Sequence, residues 1–72
     1  MAQYGIQLGT VVDVTDPLME GRLQVMLAMA PAGWARPCRD YKSTELPPVG
    51  TKVWVLFEDG DLARPVWMGV AK

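Results

Sequence analysis

Apolar and polar side chains alternate along much of this chain with a period of two, the pattern of strands rather than helices. From Ile6 to Val14, the side chains Ile6, Leu8, Thr10, Val12 and Val14 share one mostly apolar face, and Gln7, Gly9, Val11 and Asp13 share the other. This predicts a first strand. Thr15-Asp16-Pro17 follows as a turn in which the carboxylate can accept a local backbone N–H and Pro17 presets φ, and Gly21 can take a positive φ near its end. A second strand is predicted from Arg22 to Ala28, with Leu23, Val25 and Leu27 inward and Arg22, Gln24 and Met26 outward. Met29 to Pro37 reads as a connector and Cys38 to Glu45 as a polar loop, with at most a short strand near Ala35 to Arg39.

The second half is punctuated more sharply. Leu46-Pro47-Pro48-Val49-Gly50 is held extended, because each proline lacks a donor and pushes the residue before it out of the α region. Val53 to Glu58 is a strand with Val53, Val55 and Phe57 on one face and Trp54 and Leu56 on the other. Glu58-Asp59-Gly60-Asp61 is a turn or hairpin head, Asp59-Gly60 being the strongest local hairpin signal. A last strand runs from Pro65 to Val70, and its proline suits a strand's first residue or an edge.

Seven glycines and six prolines leave no room for a capped amphipathic helix. Four strands plus a weaker fifth, joined by turns, predict an all-β fold, a small five-stranded barrel of the OB or SH3-like type. Closure would remove the edges that such short strands otherwise expose. With 72 residues and no internal repeat, the chain is expected to be one such domain over residues 1–72.

Composition narrows the function. Half the residues are apolar and 21% charged, which argues against a solvated tail. A domain of this size hides only about 60% of the surface its unfolded chain exposes, so a partner surface is expected to help. The net charge of -1, with no basic tract, is a poor footprint for a phosphate backbone, and nucleic acid is not expected as a partner. Cys38 is the only cysteine, so no intrachain disulfide can form. No basic-then-apolar leader opens the sequence, and the longest uncharged run, Val25 to Ala35, is too short to span a bilayer. A soluble chain without stable membrane insertion is expected.

Histidine is absent, which removes the usual general base, zinc ligand and nucleophile partner. Cys38 stands near Arg36, Arg39 and Lys42, whose charges favour a thiolate, but a lone cysteine is more simply a small hydrophobe. Glu58, Asp59 and Asp61 form the densest acidic cluster, without the spaced ligands of a calcium loop. Neither a catalytic constellation nor a metal or cofactor motif is found, and the chain is expected not to be an enzyme.

The aromatic residues Trp34, Trp54, Trp67, Tyr4 and Tyr41 leave an alternative open, a small OB or SH3-like single-stranded nucleic-acid-binding protein that stacks bases. The interleaved acids argue against it. More informative is that the last strands are apolar on both faces, Trp54 and Leu56 opposing Val53, Val55 and Phe57, and Trp67 opposing Val66 and Met68. A small barrel has one interior, so Trp54, Leu56, Trp67 and Met68 are candidates for an oligomer or partner interface. Otherwise the chain ends and the long connector must fold over them.

An ordered set of motifs then carries a resemblance: Gly9-Thr10-Val11-Val12-Asp13, Asp16-Pro17, Gly21-Arg22-Leu23-Gln24-Val25, Leu46-Pro47-Pro48-Val49-Gly50-Thr51-Lys52-Val53, Phe57-Glu58-Asp59-Gly60-Asp61 and Arg64-Pro65-Val66-Trp67-Met68-Gly69. Together they resemble the OB-fold domain of the central spike of contractile phage baseplates and of the VgrG spike of type VI secretion. The resemblance implies a virion structural protein of the tail baseplate, assembled in the host cytoplasm. It also implies a homotrimer, packed around a threefold axis between the hub and a membrane-piercing tip, with other hub or spike proteins as partners. On matching positions it implies structural roles: Asp16, Pro17, Gly21 and Arg22 shaping the first hairpin, with Arg22 paired to an acid. Pro47, Gly50, Gly60, Asp61, Pro65 and Gly69 would fix the turns and last strand of the second half.

Overall fold

A computed structural model describes residues 5–18, 21–28, 31–40 and 46–72, with side chains at all of these except residues 31 and 32. The expectations for Tyr4, Tyr41 and Lys42, and for parts of the 29–45 connector, lie outside the described residues. The strands are β1 (Gln7–Asp13), β2 (Leu23–Leu27), β3 (Pro31–Pro37), β4 (Lys52–Phe57) and β5 (Pro65–Val70). They close into a barrel in the order β1-β2-β3-β5-β4. Every neighbouring pair is antiparallel except β3 with β5, which closes the barrel in parallel through Arg36 with Val66 and Pro37 with Trp67. The Cys38 N–H donates to the Trp67 carbonyl at 3.1 Å and extends that short seam. Five short strands, closed without an α-helix among the described residues, make this an all-β barrel of the OB type.

One side chain in two points inward, as the pleat requires. The core consists of Val11, Leu23, Val25, Leu27, Ala35, Val53, Val55, Phe57 and Trp67. The inward sets expected for β2 and β4 are the buried ones, whereas β1 differs. Its mostly apolar face is the outer one: Ile6, Leu8 and Val12 are exposed, and Gly9 and Val11 are buried. The cause is space. A Cβ on Gly9 would lie 3.0 Å from Leu27 Cδ2 and 3.3 Å from Val55 Cγ2, so the side chains of β2 and β4 crowd β1 where it has none of its own. A register shift between Val11 and Asp13 then bends the strand.

Two further expectations are corrected. The connector contains a full strand, β3, where only a short one was expected. Its prolines and Gly33 hide the alternation, yet the backbone pairs with β2 through Leu23 with Ala35, Gln24 with Trp34 and Val25 with Gly33, and Ala35 is fully buried. Trp67 belongs to the core, at 1% exposure, and is unfit for an interface role in the folded barrel. A shift in register between β4 and β5 at Trp54/Val55 pairs Trp67 with the inward Val55, and the indole N–H donates to the Gly21 carbonyl at 3.0 Å.

Candidate functional site

Three features of the barrel surface gather the residues singled out in the sequence. The first is the β1–β2 connection. Asp16 is buried, and its Oδ1 accepts from the Leu18 N–H at 2.9 Å and from Arg22 Nε and Nη2 at 3.0 and 2.6 Å. Its Oδ2 accepts from the Arg22 N–H at 3.2 Å. One carboxylate thus ties the start of the loop to its end, bridging Pro17 at the exposed turn and the buried Gly21. The Gly21 carbonyl then receives the Trp67 indole, so the loop is fastened to the core as well as to itself. The Arg22 guanidinium also lies over the Trp34 ring, 5.6 Å from its centroid.

The second feature is the pair of turns in the other half. Pro47 is buried, and the Gly50 N–H donates to the Val11 carbonyl at 2.8 Å while Thr51 accepts from the Val11 N–H at 2.9 Å, extending the β1–β4 ladder. At the head of β4 and β5, Glu58–Gly60 form a single 3-10 turn in which Asp59 and Gly60 have φ of 53° and 73°. Two successive positive φ values are what the Asp-Gly signal announces. The Asp61 carboxylate accepts from the Ala63 N–H at 2.9 Å, and Pro65 enters β5 opposite Phe57. Glu58 is paired with Arg36, and Arg64 approaches Glu58 and Asp61 at 3.7 and 3.8 Å, all on exposed side chains.

The third is the outer face of β1, β4 and β5. Leu8 pairs with Trp54, Trp54 with Gly69, and Leu56 with Val66. Trp54, Leu56 and Val66 are half-buried, and Leu8, Met68 and Val70 are exposed at 46%, 40% and 55%. Met26, outward on β2, pairs with Thr10, and the Lys52 ammonium donates to the Thr10 hydroxyl at 2.6 Å on the same side. Of the four interface candidates, the structure therefore brings Trp54, Leu56 and Met68 to one surface and withdraws Trp67. Leu8 and Met26 join that surface. Met26 is outward as the alternation of β2 predicts, whereas Leu8 was read on the apolar face of β1 and missed as a surface residue; the small Gly9, flanked by Leu8 and Thr10, was the signal that could have turned β1 the right way.

The described residues thus form a closed five-stranded OB barrel with a fastened β1–β2 loop and an apolar outer face. A family profile described as the type VI secretion system/phage-baseplate injector OB domain matches residues 7–71. The chain belongs to this family, and with it to the structural, spike-related OB domains of phage baseplates and type VI injectors. Comparison with curated proteins found no match. Among the described residues no helix is long and apolar enough to cross a membrane.

Proposed function

We propose that the chain is a non-enzymatic structural module of the central spike in a phage tail baseplate or a related contractile injection system. In this reading three copies form a homotrimer, and the trimer joins the tail-tube hub to the membrane-piercing tip in the virion. Hub and spike proteins of the same machine are its partners. The observation that carries the reading is the apolar outer face on β1, β4 and β5, in a domain whose family works in injectors. Such a face on so small a barrel asks for a protein cover. A cyclic trimer supplies it with a closed set of contacts, which suits a part that bears compressive load.

The test is the solution mass of the purified chain by light scattering coupled to size exclusion. A mass three times the monomer's is expected. Trp54→Ala should weaken the trimer by about 2 kcal/mol, roughly 30-fold in its dissociation constant, if the indole is an interface anchor. A monomer at every accessible concentration would reject self-association through this face.

A further inference from the structure

A second surface has a different character and is centred on other strands. Arg22, Trp34, Arg36, Glu58, Ala63, Arg64 and Pro65 line an open groove of about 430 Å³. It runs along the outside of β3 between the end of the β1–β2 loop and the β4–β5 loop. On OB barrels in general, the face of the second and third strands between these loops is where oligonucleotides and oligosaccharides lie. In the sequence these cations are scattered singly; the barrel lines one groove with three arginines and one carboxylate, Glu58, which faces Arg36 and Arg64 while Arg22 is held by Asp16.

The details point away from a nucleic acid strand and towards protein. Arg22 lies over the Trp34 ring, so a base stacking there would have to share the indole with a guanidinium already held by Asp16. Glu58 sits in the groove wall, where it would oppose a run of phosphates passing along it, whereas a single carboxylate can take its place on Arg36 and Arg64. The remaining cations suit a shorter anionic ligand. Arg36 and Arg64 are 56% and 61% exposed, and both approaches of Arg64 to an acid are longer than a hydrogen bond, which leaves its planar fork of donors facing solvent. Tryptophan and arginine together are also the residue types enriched at protein interfaces.

We propose that this groove docks an acidic segment of a partner protein. A carboxylate of that segment is bound by Arg36 and Arg64 in competition with Glu58, and an adjoining apolar side chain packs on Ala63 and Pro65, beside the Trp34 ring that Arg22 covers. The site is independent of self-association through the β1, β4 and β5 face, so either can fail without the other.

The experiment titrates the full-length 15N-labelled chain with a capped pentapeptide of alternating glutamate and leucine, followed by the Trp34 indole and the Arg36 and Arg64 amide resonances. The comparators are the same peptide with lysine for glutamate, and a ten-residue oligothymidylate. Saturable shifts confined to the groove with the glutamate peptide, and none with the lysine peptide, are expected. The Arg36→Ala/Arg64→Ala pair should weaken binding about tenfold or more. Glu58→Gln should strengthen it, since it removes the competing carboxylate, and this gain is a result that misfolding could not mimic. Absence of saturable shifts at millimolar glutamate peptide overturns the proposal. So does equal binding of the lysine peptide, and tighter binding of the oligothymidylate would reassign the groove to nucleic acid.

Discussion

The β1–β2 loop and the β4–β5 loop are each held by aspartate or glutamate facing arginine, yet they are built to opposite ends. In the first, Asp16 is 3% exposed at its side chain and Arg22 19%, and one carboxylate collects backbone and guanidinium donors from both ends of the loop. In the second, Glu58, Asp61, Arg36 and Arg64 are each at least 41% exposed, and the backbone itself does the shaping through Asp61 N–H to Glu58 O and Arg64 N–H to Asp61 O, both 2.9 Å. The same residue types thus hold a fold in one place and decorate a surface in the other. Burial decides which, because a desolvated and fully bonded charge cannot lose one partner cheaply, while an exposed pair is screened and replaced by water.

The sharpest way to break the comparison starts at the core anchor of the first loop. Trp67→Ala removes the largest fully buried side chain and the donor to the Gly21 carbonyl, and should cost about 3–5 kcal/mol. In a domain of this size that leaves the chain largely unfolded at room temperature, visible as lost amide dispersion. Trp67→Phe keeps most of the volume and isolates the hydrogen bond, at about 1–3 kcal/mol. If Trp67→Phe proved neutral, the tie between loop and core would be packing alone.

Asp16→Ala comes next. It takes the Asp16 carboxylate away from the largely enclosed Arg22 guanidinium and from the Leu18 and Arg22 N–H groups, which should destabilise by about 2–4 kcal/mol. The readout is the urea midpoint at fixed protomer concentration, since association would otherwise shift it. Raising salt should not reproduce the loss, because a buried pair is poorly screened. A salt-sensitive effect below about 1 kcal/mol would mean that Asp16 behaves like the surface acids of the other loop.

Much of this was legible in the alternation of side chains, and the exceptions have a common physical origin. β2 and β4 bury what a period of two says they should, and Asp59-Gly60 turns as its dihedral preferences require. β1 was inverted because its apolar residues outnumber the inward ones: inward space there is tight, with Leu27 and Val55 crowding the place a Cβ on Gly9 would take. β3 was hidden because proline and glycine weigh against strands locally, while its existence depends on a ladder with β2 that no local window contains. Trp67 was misplaced by the shift in the β4–β5 register, and the groove could not be foreseen because residues 22, 34, 36, 58 and 64 meet only through barrel closure. The Asp16 to Arg22 tie is the opposite case: six residues apart on one turn, an acid and an arginine are brought together by the hairpin itself.

The smallest expected effect is the most discriminating for the second loop. Glu58→Gln removes the charge shared by Arg36 and Arg64 and leaves the backbone turn, whose N–H of Glu58 donates to the Arg64 carbonyl at 2.9 Å, in place. With all three side chains exposed, the ion pairs should contribute no more than about 0.5 kcal/mol, so the urea midpoint should hardly move. The 3-10 turn should persist too, because it rests on Gly60 and on the two positive φ values rather than on the carboxylate. If Glu58→Gln instead lowered stability by as much as Asp16→Ala, exposure would not be what separates the two loops. The Arg36, Glu58 and Arg64 cluster would then be a strut between β3 and the β4–β5 hairpin, closing the side of the barrel where the backbone seam is only two residue pairs long.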